Sequence, residues 1–170
     1  MKKLIILCLA VLFLFTACGG RPMPEGVPDD FAVYYADWIN ENQPDIFDTY
    51  EGYIQKDLIM NGTAKTEYTP SDEVITAIYN KIVELELWKL PENMRARTQV
   101  IQPMGYMEIR YTIDGRTYEL LTDSSIFHGY GENIAPDDAE KAEQFCMFMQ
   151  KTIMETEEYK SLPDSEGGYQ

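Results

Sequence analysis

Hydrophobic patterning along the chain predicts strands first, then a helix, a hairpin and a second helix. Phe31 to Ile39 is rich in aromatic and β-branched residues and predicts a first strand, which ends at a turn over residues 40–44. A second strand is predicted from Thr49 towards Ile59. Asn61-Gly62 then favours a tight hairpin because both positions tolerate positive φ. This turn would place Met60 opposite Thr63 and Lys56 opposite Glu67.

Asp114-Gly115 gives a clearer hairpin prediction, because one register suits both faces of the strands. The apolar face would pair Ile113 with Arg116, Tyr111 with Tyr118 and Ile109 with Leu120. The polar face would pair Thr112 with Thr117 and Arg110 with Glu119.

Two helices are predicted from apolar residues spaced three and four apart. The first begins near residues 69–73, where a hydroxyl cap, a proline and acidic residues favour a helix start, and the second runs from Pro136 to about Tyr159. Their inward positions are Ile75, Ile78, Ile82 and Leu85 in the first, and Ala142, Phe145, Met149 and Ile153 in the second. The order predicts an α+β domain with an antiparallel sheet of about five strands and two helices packed on one face.

The N-terminus has the anatomy of a lipoprotein signal. Met1-Lys2-Lys3 is positive, residues 4–17 form an apolar run of 14, and Cys18 follows Phe15-Thr16-Ala17. A membrane-spanning helix needs roughly 20 apolar residues, so this run is short for one. The segment around Cys18 resembles the bacterial lipobox, in which the cysteine carries diacylglycerol on its sulfur; Phe15 stands where Leu is usual.

We therefore expect residues 1–17 to be a signal peptide, residues 18–28 the lipidated cysteine and a flexible spacer, residues 29–163 a single domain and residues 164–170 a tail. Two acyl chains on Cys18 would anchor the protein durably to the outer side of the cell membrane. The alternatives are an ordinary cysteine beside a conventional cleavage site, or an uncleaved apolar anchor.

Charge narrows the possible partners. The chain has 29 acidic and 14 basic residues, a net charge of −15, and loss of Lys2 and Lys3 with the signal makes it −17. Nucleic acids and anionic lipid surfaces would repel such a protein. The membrane is thus a partner through the lipid alone, and no nucleic acid is expected.

The sequence contains few candidate nucleophiles or metal ligands. Cys146 shares the apolar side of the second predicted helix and is expected to be a small core residue. His128 is the single histidine, which excludes a zinc site built on several imidazoles within one chain. It lies in the loop 123–135 near Ser124 and Ser125, but the chain lacks a Gly-x-Ser-x-Gly motif, so a loop role without chemistry is favoured.

Acidic residues are numerous enough to form many carboxylate pairs, and a glycosidase would need only one pair at the right separation. The acidic loop 123–138 lacks the residue order of a calcium loop, and Asp137 and Asp138 suit a helix N-terminus. Nucleotide-binding glycine motifs are absent from the sequence, and no cofactor or metal is expected. Tyr106 shares its strand face with Glu108 and Arg110, which makes it a candidate exposed aromatic for stacking on a sugar or meeting a protein. The alternative, which is commoner for such residues, is half-buried packing at the margin of the sheet.

The segments Leu87-Trp88-Lys89-Leu90-Pro91 and Glu158-Tyr159-Lys160-Ser161-Leu162-Pro163, together with the signal, carry a family resemblance. Over residues 48–168 the chain resembles small uncharacterised lipoproteins of Gram-positive bacteria, whose motifs are not catalytic. The resemblance implies location and shape but no mechanism.

Together these features predict a lipid-anchored, extracytoplasmic envelope protein that binds an envelope protein or a wall component without catalysis. One alternative is an envelope hydrolase that uses a carboxylate pair or His128. Another is an inhibitor or immunity-type protein.

Overall fold

The structure is a computed structural model and describes residues 23–96, 103–129 and 133–169. Within these ranges the chain is α+β, as predicted, with seven strands. The strands are β1 (Ala32–Trp38), β2 (Asp45–Asp48), β3 (Tyr53–Asp57), β4 (Thr63–Glu67), β5 (Asn93–Met94), β6 (Tyr106–Ile113) and β7 (Arg116–Asp123). They form one sheet in the order β4-β3-β2-β1-β6-β7-β5. Neighbouring strands are antiparallel except β5, which pairs in parallel with β7.

Four α-helices lie in the described ranges: α1 (Asp72–Leu85), α2 (Ser124–Phe127), α3 (Pro136–Glu155) and α4 (Glu157–Ser161). Helix α1 begins where predicted because the Ser71 hydroxyl accepts the Val74 N–H, and it ends at Glu86 in a left-handed conformation. The second predicted helix is interrupted at Thr156, whose extended backbone ends α3 and whose hydroxyl accepts the Tyr159 N–H to start α4.

The β6–β7 hairpin confirms every predicted pair, from Ile113 opposite Arg116 to Ile109 opposite Leu120. Asp114 and Gly115 both have positive φ, 50° and 74°, which matches the twist of a two-residue turn. The carboxylate of Asp30 accepts both of their backbone N–H groups, at 3.0 and 2.6 Å. The turn is therefore held from outside as well as by its own geometry.

The β3–β4 hairpin exists, but its predicted register was wrong. Thr63 lies opposite Asp57 rather than Met60, and Lys56 lies opposite Ala64 rather than Glu67. Strand β3 stops at Asp57 because its carboxylate accepts the Ile59 N–H at 2.7 Å and Ile59 takes a positive φ of 60°. The connection is therefore a loop over residues 58–62, closed by a Leu58 N–H to Gly62 carbonyl bond of 2.9 Å.

The prediction of about five strands was low because two short strands were not recognised. Residues 49–52, predicted to open the second strand, form a turn in which the Asp48 carboxylate accepts the N–H groups of Tyr50 and Glu51. That turn separates β2 from β3. Strand β5 has two residues, too few to show an alternation in the sequence.

Buried side chains of the sheet and of α1 and α3 form one hydrophobic core. Strand β6 alternates strictly between buried and half-buried residues, so one of its faces lines the core. All predicted inward positions of α3 are buried, and so is Cys146; in α1, Ile75 is only half-buried. Helices α1 and α3 contribute Ile78, Tyr79, Ile82, Leu85, Ala142, Phe145, Cys146, Met149 and Ile153 to this core, and α2 contributes Ile126.

Both ends of the described chain contact the domain. Met23 and Val27, within the predicted spacer, pack against the core, and the Tyr79 hydroxyl donates to the Pro24 carbonyl at 2.7 Å. The predicted tail lies beside the β3–β4 loop, where Glu166 pairs with Ile59. The predicted signal peptide and Cys18 lie outside the described residues.

Candidate binding surface

The sheet carries a band of aromatic and charged side chains on the face opposite the core. Strand pairing aligns Tyr53, Asp48, Tyr34 and Arg110 in one row across β3, β2, β1 and β6. These positions alternate with the core residues of the same strands, and all except Asp48 are half-buried. We call this surface the aromatic face; it comprises Tyr34, Trp38, Tyr50, Tyr53, Tyr106 and Arg110.

Arg110 lies between two tyrosine rings of the aromatic face. Its guanidinium carbon is 4.8 Å from the ring centroid of Tyr34 and 5.5 Å from that of Tyr50. The hydroxyls of Tyr50 and Thr112 are hydrogen-bonded at 2.9 Å, which fixes the Tyr50 ring above the strand. Burial, with the nearby Glu108 carboxylate, raises the pKa of Tyr34 to about 12, so its phenol stays a neutral hydrogen-bonding group.

A second cation, Lys65, lies beside Tyr53, at the opposite end of this row from Arg110. The Lys65 ammonium lies 3.2 Å from the centroid of the Tyr53 ring. Burial raises the pKa of Tyr53, so this phenol is also neutral near pH 7. Both Lys65 and Arg110 are thus engaged with rings, and the aromatic groups are held in place by charge as well as by strand pairing.

Trp38 and Tyr106 form a pair on the aromatic face where β1 ends and β6 begins. They are direct partners across β1 and β6, and their rings are stacked with centroids 6.1 Å apart and planes at 21°. Both rings are half-buried, and the neighbouring Ile39 is 41% exposed. Tyr106 therefore shares its face with Glu108 and Arg110 as predicted, but it is backed by a tryptophan rather than exposed alone.

Four of the five aromatic residues on this face were not predicted as site residues from the sequence. Trp38 and Tyr34 lie in a strand that was recognised, but Tyr35 between them obscured which residues face the core. The pairing partners show which tyrosine faces the core. Tyr34 lies opposite the half-buried Arg110, whereas Tyr35 lies opposite the buried Ile109. Tyr50 and Tyr53 were missed because the sequence predicted one continuous strand from Thr49, where the structure has a turn followed by β3.

A pair of half-buried carboxylates lies on the opposite side of the sheet. Asp37 and Asp45 are direct partners across β1 and β2. Burial raises the pKa of Asp37, although hydrogen bonds from Gln150 and Tyr35 oppose the shift. Burial also raises the pKa of Asp45 to about 6, against hydrogen bonds from the Asp57 N–H at 3.0 Å and the Tyr159 hydroxyl at 3.2 Å.

Other candidate residues fall into structural roles. His128 is exposed at the end of α2. Ser125 is buried and donates to the Met104 sulfur, while Asp123 accepts the N–H groups of Ala96 and Ser125. The serine and the acid nearest the histidine are therefore already committed to packing and turn formation.

Cys146 is 2% exposed, and burial raises the pKa of its thiol well above the ordinary value. A buried neutral thiol of this kind is unreactive, in agreement with the predicted core role. Asp137 and Asp138 lie in the first turn of α3, as their sequence position suggested. In the ranges that the structure describes, no cluster of three or more histidine, cysteine or acidic residues could hold a metal ion.

No protein-family model matches the chain, and no curated protein is significantly similar to it. Among the described residues, no helix is both long enough and apolar enough to cross a membrane.

Proposed function

We propose that this protein is a lipid-anchored, extracytoplasmic envelope protein that binds wall glycan through the aromatic face. The single observation that carries the proposal is the band of five aromatic residues on the non-core side of the sheet, with Arg110 between two of their rings. Sugar rings stack on aromatic side chains. Flanking carboxylates accept hydrogen bonds from sugar hydroxyls, and protein hydroxyls can both donate to them and accept from them. Glu108, Thr112 and Gln55 lie among the rings to do so.

We propose that the aromatic face is accessible, with both longer helices packed on the other side of the sheet. Buried residues of α1 and α3 share one core with Tyr35, Ile109 and Phe47, which alternate with the aromatic-face residues. This partition supports the predicted packing of two helices on one face.

The anchor is proposed to be a diacylglyceryl group on Cys18 with the domain outside the cell membrane. The motif 15–18, the apolar run and the positive N-terminus support it. We expect the full chain to incorporate radioactive palmitate in cells, and Cys18→Ala to incorporate none. Cys146→Ala serves as the matched control and should label like the wild type, since its thiol is buried. Equal labelling of wild type and Cys18→Ala would refute the anchor.

The glycan proposal is tested by cosedimentation of the full chain, kept soluble in mild detergent, with purified peptidoglycan sacculi. Loss of both rings in Trp38→Ala/Tyr106→Ala should weaken binding by about tenfold, the factor that corresponds to roughly 1.4 kcal/mol of stacking. Trp88→Ala removes the other tryptophan, which packs against the core, and should leave the affinity of the folded protein unchanged.

Salt dependence separates stacking from charge. Because the mature chain carries a net charge of −17, anionic wall polymers repel it, and screening by about 0.5 M salt should preserve or strengthen binding. Unchanged binding by the double variant, or binding abolished by salt, would contradict the proposal.

A second candidate function rests on Asp37 and Asp45, whose adjacency and raised pKa values are features of carboxylate pairs in glycosidases. In that case purified sacculi would release soluble sugar fragments on incubation with the full chain. Asp37→Asn and Asp45→Asn would each abolish the release, whereas Asp48→Asn, on the other face, would not. No release by the wild type would remove this candidate.

A further inference from the structure

A groove separates α1 from the end of α3 and the start of α4. Its floor is apolar and includes Tyr68, Val74, Ala77 and Phe148, and its volume is about 430 Å³. Phe148 and Val74 are half-buried while Ala77 is exposed, so the floor is accessible from outside. We call this the helix groove; it is lined by helices that pack with the core side of the sheet and is therefore distinct from the aromatic face.

The rim of the helix groove is acidic. Glu73, Glu155 and Glu158 line it, and no lining residue is basic. A hydrogen bond from Ser71 lowers the pKa of Glu73, which keeps this carboxylate ionised. Glu155 has one cation within reach, Lys151 at 3.8 Å, but both side chains are largely exposed and such a pair is weak.

The lysine of α1, Lys81, is paired with a glutamate that does not line the helix groove. The Lys81 ammonium bonds the Glu84 carboxylate at 2.7 Å and lies 5.8 Å from the centroid of the Phe148 ring. The last turn of α3 contains no basic residue, so the negative end of this 20-residue helix adds to the rim carboxylates. An apolar floor with a predominantly negative rim complements a ligand that is both apolar and cationic.

We propose that the helix groove binds a basic peptide segment of a partner protein, which places an apolar side chain on Phe148 and lysine or arginine side chains beside Glu73, Glu155 and Glu158. A groove of this volume accommodates one large apolar side chain and its neighbours. The net charge of −17 on the mature chain steers a cationic partner towards the protein over longer distances. This surface acts independently of glycan binding by the aromatic face.

The test uses the full chain in mild detergent and a fluorescent synthetic peptide that alternates lysine and leucine over about ten residues. The triple variant Glu73→Gln/Glu155→Gln/Glu158→Gln should weaken binding at least tenfold. The matched control, Glu67→Gln/Glu92→Gln/Glu119→Gln, removes the same charge from exposed residues outside the helix groove and should weaken it less than twofold. Ala77→Phe, which fills the floor from an exposed position, should also weaken binding at least tenfold.

Two outcomes would overturn the proposal. Equal weakening by the two triple variants would mean that net charge alone attracts the peptide. Equal affinity for a peptide of lysine and serine would mean that the apolar floor takes no part. Trp38→Ala/Tyr106→Ala should bind the lysine–leucine peptide normally, so failure of the glycan proposal and failure of this one are separable.

Discussion

The two hairpins of the sheet are built around similar turn residues but are held in different ways. In β6–β7 a two-residue turn joins strands of eight residues each, and central positions such as Ile109 and Leu120 are buried. In β3–β4 a five-residue loop joins strands of five residues each, at the edge of the sheet. There, the exposed and half-buried residues of β4 offer little apolar area to fix the pairing.

The β3–β4 loop instead depends on distant contacts. Asp45 accepts the Asp57 N–H, the Ser165 hydroxyl donates to the Asp57 carbonyl, and the Tyr169 hydroxyl donates to the Asp57 carboxylate. Two further backbone bonds of 3.3 Å join Glu166 to Met60 and Leu58. The β6–β7 hairpin is therefore specified mainly by its own residues, with Asp30 binding its turn, whereas the β3–β4 hairpin depends on the tail and a neighbouring strand.

The largest expected effect comes from weakening the locally specified hairpin at its core. Ile109→Ala removes a fully buried side chain and should lower the free energy of unfolding by about 2–5 kcal/mol. The exposed Thr63→Ala in β4 is the control and should change it by less than about 0.5 kcal/mol. Urea unfolding followed by circular dichroism measures both, and similar costs for the two variants would contradict the comparison.

The same contrast explains what the sequence predicted and what it did not. Ile109, Tyr111 and Ile113 alternate with polar residues beside Asp114-Gly115, so a short stretch contains the whole pairing. The Asn61-Gly62 register failed because Asp57 ends its strand early through a side-chain bond to Ile59, and the tail packs against the loop. Such long-range contacts leave no periodic signal.

The residues of the candidate site were also only partly predicted from the sequence. Tyr106, Glu108 and Arg110 lie on the well-patterned strand, and their shared face could be read from the alternation. Trp38 and Tyr34 lie beside them only because β1 pairs with β6, and this tertiary contact is not visible in the local sequence pattern. The Asp37–Asp45 pair is likewise created by strand pairing between residues that no motif connects.

The next effect concerns the carboxylate that supports the β3–β4 hairpin. Burial raises the pKa of Asp45 from 3.8 to about 6, so the folded state holds this proton more tightly than the unfolded state. The stability it contributes is full below pH 3.8 and is lost as pH rises through 6. Between pH 5 and 7.5 the loss is about 1.4 kcal/mol.

Asp45→Asn isolates this contribution, because the amide oxygen still accepts the Asp57 N–H but does not titrate. Relative to the wild type, the variant should therefore gain about 1.4 kcal/mol between pH 5 and 7.5, measured by urea unfolding at both values. Thr63→Ala, which changes no titratable group, is the control and should follow the pH profile of the wild type. Parallel pH profiles for the wild type and Asp45→Asn would contradict the prediction.

Glycine substitutions test the turns themselves. Gly115 and Gly62 have φ of 74° and 75°, and a Cβ at either position would meet no atom within 4 Å. Gly115→Ala and Gly62→Ala should therefore each cost about 1 kcal/mol through backbone strain alone. Gly26→Ala has equal space without positive φ and should cost nothing. Differential scanning calorimetry would measure the three, and a cost for Gly26→Ala equal to the others would show that strain is not the cause.

The smallest effect should be visible only locally. Tyr169→Phe removes the bond to Asp57 and should cost about 0.5–1 kcal/mol, because one partly buried hydrogen bond is lost. Amide hydrogen exchange at Met60, whose N–H donates to the Glu166 carbonyl, should accelerate while exchange at Ile109 stays unchanged. Tyr50→Phe, which removes a phenol bond at the other hairpin, should leave Met60 exchange unaltered. Unchanged exchange at Met60 in Tyr169→Phe would mean that Asp57 and Ile59 hold the loop without help from the tail.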